Sequence, residues 1–495
     1  MGAAMAERTG RGGVTYAEVE RGYFERRGLR RHAGVASLWA LGVGAVISGD
    51  FSGWNFGLGA GGFGGMFYAT LIIMAMYLGL TFSLAEMSPA LPHTGGAYSF
   101  ARATMGPWGG FVTGLAENVE FVLTPTVVVF FISTYMGAVL GTPDWAMPLW
   151  WVGFYTVFVG LNLWGVELSF RVTLVVTLLA LAVLAIYWAS SAPHFRWDLA
   201  LNIPPGSGGS AWLPFGAAGI LAALPFAVWF FLAIEQLPLA AEESHDPRRD
   251  MPRGILAGIA TLIVTAFLTL FLVSGVGGGA AAMATSAEPI LDGFRAIYGS
   301  DIARLLALAA VIGLMASFHT IIFAFGRQIY SLSRAGYFPR GLSVTHPARK
   351  TPHVALVTGA VVGLAIMFAV CLLAGQEGAT TVIGTTLLNM AVFGAMLSYL
   401  MQAAAFILLR VRMPDIPRPY RSPLGIPGAA LTAAIALVTL AWQLQDPAYR
   451  GAVLPVACWM GLGLAYFALI GRHRLVLSPE EKFALSRGTA AYETD

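Results

Sequence analysis

Val46-Ile47-Ser48-Gly49-Asp50-Phe51-Ser52-Gly53 sets a carboxylate among glycines inside an apolar segment that runs from about residue 35 to 60. An ionised Asp near the centre of a membrane helix costs about 2.5 to 3.5 kcal/mol on insertion scales, so it demands a counter-charge or a function. Glycine lets a helix unwind and bare its backbone amides and carbonyls, and helices broken in this way form the midplane binding sites of secondary transporters. The stretch therefore reads as a cation site in a broken membrane helix.

The rest of the chain supplies the membrane setting. Of 495 residues, 57% are hydrophobic and only 11% are charged, against about 25% charged in an ordinary soluble domain. Apolar runs of bilayer-spanning length fall near 35–60, 66–90, 105–140, 147–166, 168–191 and 212–240, then near 254–276, 303–333, 354–374, 379–409, 425–445 and 451–471. The fold expected is an all-α polytopic membrane protein of about twelve transmembrane helices. All but four of the 29 Lys and Arg (Arg196, Arg295, Arg304 and Arg450) fall on one side of this arrangement. By the positive-inside rule both termini are then cytoplasmic, in the inner membrane of the cell. The cluster Arg26-Arg27, Arg30-Arg31-His32 before the first span reads as a topological signal rather than a nucleic-acid site.

Residues 1–34 read as a cytoplasmic N-terminal tail, 35–471 as one transporter domain and 472–495 as a C-terminal tail. The polar first 30 residues argue against a cleavable signal peptide. Cys371 and Cys458 lie in apolar runs and suggest no disulfide, metal or thiol chemistry. Span 6 carries Trp229-Phe230-Phe231-Leu232-Ala233-Ile234-Glu235, a second acid in an apolar segment with Pro225 upstream. Interrupted segments at corresponding places in two halves point to an inverted repeat with the site at its interface. Repeats of about 35–191 and 212–409, with broken helices 1 and 6 and two added helices at about 425–471, satisfy this: five crossings put the second half in upside down.

Several longer motifs resemble the amino acid-polyamine-organocation family of permeases. They are Leu84-Ala85-Glu86-Met87 through Pro92-His93-Thr94-Gly95-Gly96-Ala97-Tyr98; Gly106-Pro107-Trp108-Gly109-Gly110-Phe111; Asn162 to Gly165-Val166; Glu235 followed by Ala241-Glu242-Glu243 and Pro247 to Arg253; and Gly326-Arg327 through Arg334 to Pro339, with Thr351-Pro352. Members that carry amino acids place a Gly-Ser-Gly turn in span 1 to hold the substrate carboxylate. Here the register holds Ser48-Gly49-Asp50, and two like charges about 4 Å apart repel by about 4 kcal/mol at an effective dielectric near 20. The replacement favours an amine without a carboxylate, and the run from Ser48 to Leu58 is similar to the ethanolamine permeases of this family.

The resemblance implies a substrate site of Asp50, Ser48, Gly49, Trp229, Ala233 and Glu117, with the ammonium at Asp50 and Trp229 packed over the substrate. Ala233 stands where many members have Gly, which would tighten the break. Asp50 could instead be a structural acid that holds the break or pairs with an Arg. Glu117 and Glu120, three residues apart on one helical face, read as a proton store or as hydrogen-bonding groups of the bundle. Glu235 and His319 are further coupling candidates, each with a structural alternative, and Glu86 and Arg327 read as architecture or gating. Some proton-coupled relatives carry a span 5 lysine where this chain has about Ala180, so H+, Na+ or no coupling ion all remain open, and no cofactor or metal is expected.

Gly59-Ala60-Gly61-Gly62-Phe63-Gly64 has the letters of a dinucleotide fingerprint without its strand context. Gly57, Gly61 and Gly65 fit a helix-packing spacing but are assigned to the turn between spans 1 and 2. Neither His-Glu-x-x-His nor Gly-x-Ser-x-Gly occurs, so an intramembrane enzyme has little support. The readings left are ethanolamine import, import of an amino acid or polyamine, and a sensor that binds an amine without moving it.

Overall fold

A computed structural model describes residues 8–10, 12–20 and 22–477. The C-terminal tail read from the sequence therefore lies mostly outside the described residues. Among the described residues ten helices are long and apolar enough to cross a membrane, and two shorter apolar stretches, Val35–Phe51 and Gly216–Val228, sit where the sequence places spans 1 and 6. Large apolar side chains such as Leu373 (87% exposed) and Leu469 (75%) face outward, as lipid-facing positions require.

Span 1 begins as Val35–Val46, continues through the short turn of helix Ser48–Phe51, and resumes at Phe56 within the helix Phe56–Ala90. That helix is bent at Gly62, whose φ of 68° lies in the left-handed region that suits a residue without Cβ. Residues 56–61 thus form the half of span 1 remote from the termini and 63–90 form span 2. Span 3 is the part of Gly96–Leu140 beyond a second such bend, at Gly106 (φ 83°), where Pro107 starts the spanning segment. Spans 4 and 5 are Met147–Trp164 and Val166–Ser191; span 6 is Gly216–Val228 followed, after a break, by the 3₁₀ stretch Ile234–Glu243. Span 7, Pro247–Ser274, starts on Asp246, whose side chain accepts from the Arg248 amide, a normal N-cap. Spans 8 to 12 are Ser300–Arg334, His353–Thr381, Leu388–Arg412, Gly425–Gln445 and Arg450–Leu469.

Span 3 packs against spans 8 and 10, and spans 1 and 2 pack against spans 6, 7 and 11. One expectation is corrected here. Gly57 and Gly61 are helical and Gly65 lies beyond the bend, so the turn is carried by Gly62 instead. A Cβ added at Gly61 would stand 2.6 Å from the Gly219 carbonyl, and one at Gly57 would stand 2.8 Å from Phe226 Cβ. These glycines let the halves of spans 1 and 6 remote from the termini touch backbone to backbone.

The N-terminal segment is also more ordered than a bare tail. Arg8–Gly10 and Val14–Tyr16 pair as an antiparallel hairpin, Ala17 N donates to Leu475 O at 2.8 Å, and His32 N and Ala33 N both donate to Glu243 O. Both ends of the described chain are stitched to one face of the bundle.

Gly61→Leu places carbon against a fixed carbonyl and is expected to destabilise the fold by about 1 to 3 kcal/mol. Thermal unfolding in detergent measures this, and an unchanged midpoint would contradict the close approach of spans 1 and 6.

Candidate functional site

The two breaks meet. Gly49 lies so close to span 6 that a Cβ there would be 2.1 Å from the Trp229 carbonyl, and one at Gly53 would be 2.6 Å from Trp229 Nε1. Trp229 therefore roofs the glycines of the span 1 break, and its neighbour Phe230 stacks on Trp54 at 5.0 Å. Ala233 closes the span 6 break at φ 81°, ψ 4°, a left-handed conformation that costs an L-residue with a Cβ about 1 to 2 kcal/mol.

Side chains fan out from the first break. Ser48 Oγ donates to Ser317 Oγ of span 8 at 2.8 Å, and Ser317 passes the chain on to the Ala45 carbonyl. Asp50, one residue beyond Gly49, turns to span 7, where the Thr265 and Thr269 hydroxyls lie beside its carboxylate. Neither makes a hydrogen bond of normal geometry to it, and both Asp50 oxygens are buried without a partner. Thr265 is committed to Leu262 O at 3.2 Å, and Thr269 accepts from Trp188 Nε1 at 3.2 Å. Among the described residues no Lys or Arg pairs with Asp50. Directly beneath Trp229 thus lies the backbone of the two glycines, with Asp50 on the neighbouring span 7 side.

A second group of acids sits deeper in the bundle. Glu117 accepts from Gln328 Nε2 at 2.8 Å. Glu120, one turn on, accepts from Tyr399 OH at 3.4 Å, and Tyr399 shares a 2.9 Å hydrogen bond with Tyr77. Glu235 reaches this group from the span 6 break, next to Glu120 and Tyr399; both of its oxygens and Glu120 Oε2 lack partners. His319 belongs elsewhere: its ring nitrogens bond Asn162 and Ser169 at 3.1 Å each, tying span 8 to spans 4 and 5. Close to Ala180 in sequence, Thr177 of span 5 donates to the Ala40 carbonyl at 3.1 Å.

Arginines close the face that carries the termini. Arg327 and Glu243 are both fully buried and joined at 2.8 Å, with Arg327 also stacked 3.5 Å over Phe323. Arg334 grips Glu242 at 2.5 Å and donates to His93. Glu86 takes a fork of hydrogen bonds from Arg410 at 2.5 and 2.8 Å. On the opposite face Asn55 Nδ2 holds Met283 O and Ser286 O at 2.6 and 2.8 Å, pinning the loop after span 7 over the span 1 break. Beside it is a cavity of about 540 Å³ lined by Phe56, Phe226, Asn389, Asp446 and Tyr449.

The sequence alone points to no site or gating role for Tyr77, Tyr399, Gln328, Thr265, Thr269, Glu242 or Glu243. Two tyrosines deep in apolar spans were the available signal, because a buried phenol needs a polar partner.

A family profile described as amino acid permease matches residues 34–464. The chain belongs to that family. It is 29% identical to an uncharacterized transporter of Rhizobium meliloti over 70% of this chain and 74% of that protein. It is 25% identical to the branched-chain amino acid permease of Bacillus subtilis over 90% and 94% of the two chains. The methylthioribose transporter of the same organism is 23% identical over 91% and 95%. The permease is thus a multi-pass membrane transporter rather than an enzyme.

Glu243→Gln leaves the buried Arg327 guanidinium without its counter-charge. The loss expected is about 3 to 5 kcal/mol, read as a lowered unfolding midpoint of the purified permease; a midpoint equal to the parent's would contradict a buried, fully desolvated ion pair at this place.

Proposed function

We propose that this permease imports a small organic cation, ethanolamine, across the inner membrane by alternating access with proton coupling, both termini facing the cytoplasm. The observation that carries the reading is a charge imbalance: Asp50, Glu117, Glu120 and Glu235 are buried in the bundle and none has a salt-bridge partner among the described residues. A buried acid needs a cation or a proton, and an ammonium supplies both a charge and donors for a carboxylate without partners.

In this reading the ammonium is drawn to Asp50 between the breaks and the span 7 hydroxyls. Ser48 and Gly49 offer polar contacts, Trp229 and Ala233 cover the aliphatic part, and Glu117 bounds the site on the span 3 side. Glu120 and Glu235, with the Tyr399–Tyr77 pair, hold and release the coupling proton. His319 serves as a brace between spans 4, 5 and 8. The Arg327–Glu243 and Arg334–Glu242 pairs part when the site opens toward the termini, and rocking of the repeats provides the exchange.

A second reading, uptake of a neutral amino acid, is favoured by the name of the branched-chain relative. Asp50 weighs against it, since an α-carboxylate seated at the span 1 break would meet a like charge. Asp50→Asn is expected to cut labelled ethanolamine uptake by about thirtyfold or more, the order found when one partner of a desolvated charge pair is removed. Insertion and thermal stability of the variant should stay near those of the parent. Uptake equal to the parent's would contradict the cation site.

A further inference from the structure

On the face that carries the termini, a cavity of about 350 Å³ lies between the entrance to span 1, the turn joining spans 4 and 5, and the loop joining spans 8 and 9. Its walls carry Arg30, Arg31, His32, Arg171 and Arg349, with Glu167 as the one acid. Glu167 is already neutralised by Arg171 at 2.5 Å. Arg349 lies 4.8 Å over the Trp164 ring and has no ion pair among the described residues. Arg30 and Arg31 are exposed and make no hydrogen bond or ion pair among the described residues. The floor is the start of the 26-residue span 5 helix, which has no side-chain cap, so the amides of Val166 and Leu168 add unspent donors to the guanidinium groups.

The position says what would fill it. Trp164, 65% exposed, ends an apolar span at the cavity rim, and Trp and Arg at such a rim mark the depth of lipid headgroups. Spare positive charge in a cleft between membrane helices at headgroup depth matches a lipid phosphate with a further negative or hydroxylated group. A soluble anion would gain the same charge contacts but no benefit from the apolar rim.

We propose that this cavity is a binding site for the headgroup of an anionic phospholipid. The headgroup would bridge three parts of the molecule. Arg30 and Arg31 precede the entrance to span 1, which is bonded to Glu243 at the end of span 6 through His32 N and Ala33 N. Arg349 and the spans 4–5 turn belong to the surrounding helices. A bound lipid would thus tie the two broken spans to their scaffold on the side where the arginine pairs close the path.

The test uses the delipidated full-length permease and native mass spectrometry with phosphatidylglycerol, phosphatidylcholine and inorganic phosphate as probes. The parent should retain phosphatidylglycerol over phosphatidylcholine, and inorganic phosphate should not displace it. Arg30→Ala/Arg31→Ala/Arg349→Ala should weaken retention on the order of a hundredfold, the summed attraction of three surface arginines. Arg248→Ala/Arg249→Ala/Arg253→Ala, at exposed sites on the same face, should change it little. If the first triple variant does not fold, Arg31→Ala alone, at an exposed residue, should still lower retention several-fold. Equal retention in parent and cavity variants, an equal loss in the control triple, equal retention of phosphatidylcholine, or displacement by inorganic phosphate would each overturn the proposal.

Discussion

The approach of Gly49 to the Trp229 carbonyl is the contact on which the other features of this permease depend. Two helices can be interrupted inside a bilayer only if the backbone groups they free are buried in protein or line a cavity. Here the interruptions are laid against each other, and no side chain fits between them. The small-residue seam of Gly57, Gly61 and Gly219, with Gly65 at the start of span 2, extends the same close approach away from the termini. From that seam the side chains can only fan outward: Ser48 to span 8, Asp50 to span 7, Glu235 into the acids of span 3.

That fan has an electrostatic consequence. The arginines of the bundle are spent at its end, on Glu243, Glu242 and Glu86, where they close and brace one face. The interior acids are left without a cation among the described residues: hydroxyls lie around Asp50, an amide bonds Glu117, and a phenol and the Glu235 carboxyl lie beside Glu120. In the proposed transport cycle, this separation of charges makes the paired arginines a lock on one face and the interior a place that a cation or proton completes.

Much of this was legible in the sequence. The spans, the two breaks and the membrane setting follow from apolar runs interrupted by Gly-Asp and by an acid after an aromatic run, because burial in lipid forces those patterns. What could not be read was direction. A break does not say which neighbour each of its residues faces: the sequence names Ser48, Gly49, Asp50 and Trp229 together, and only the packing shows the glycines lying under Trp229 and Asp50 turned to Thr265 and Thr269. The meeting of Glu120 with Glu235 depends on the packing of spans 3 and 6, which no local pattern encodes. The glycines after the first break were assigned to a turn because their spacing fits both a turn and a packing face, and only tertiary contact with Gly219 separates the two. Ala233 shows the converse: its left-handed backbone runs against its own preference and is imposed by the packed break around it.

The central claim is that the acidic interior selects a cationic cargo. Uptake of labelled ethanolamine into proteoliposomes, with separately imposed proton and sodium gradients and competition by choline, putrescine, serine and alanine, tests it most directly. The account predicts accumulation driven by the proton gradient and competition by amines that lack a carboxylate. Serine or alanine as the strongest competitor, or binding without accumulation under either gradient, would contradict it.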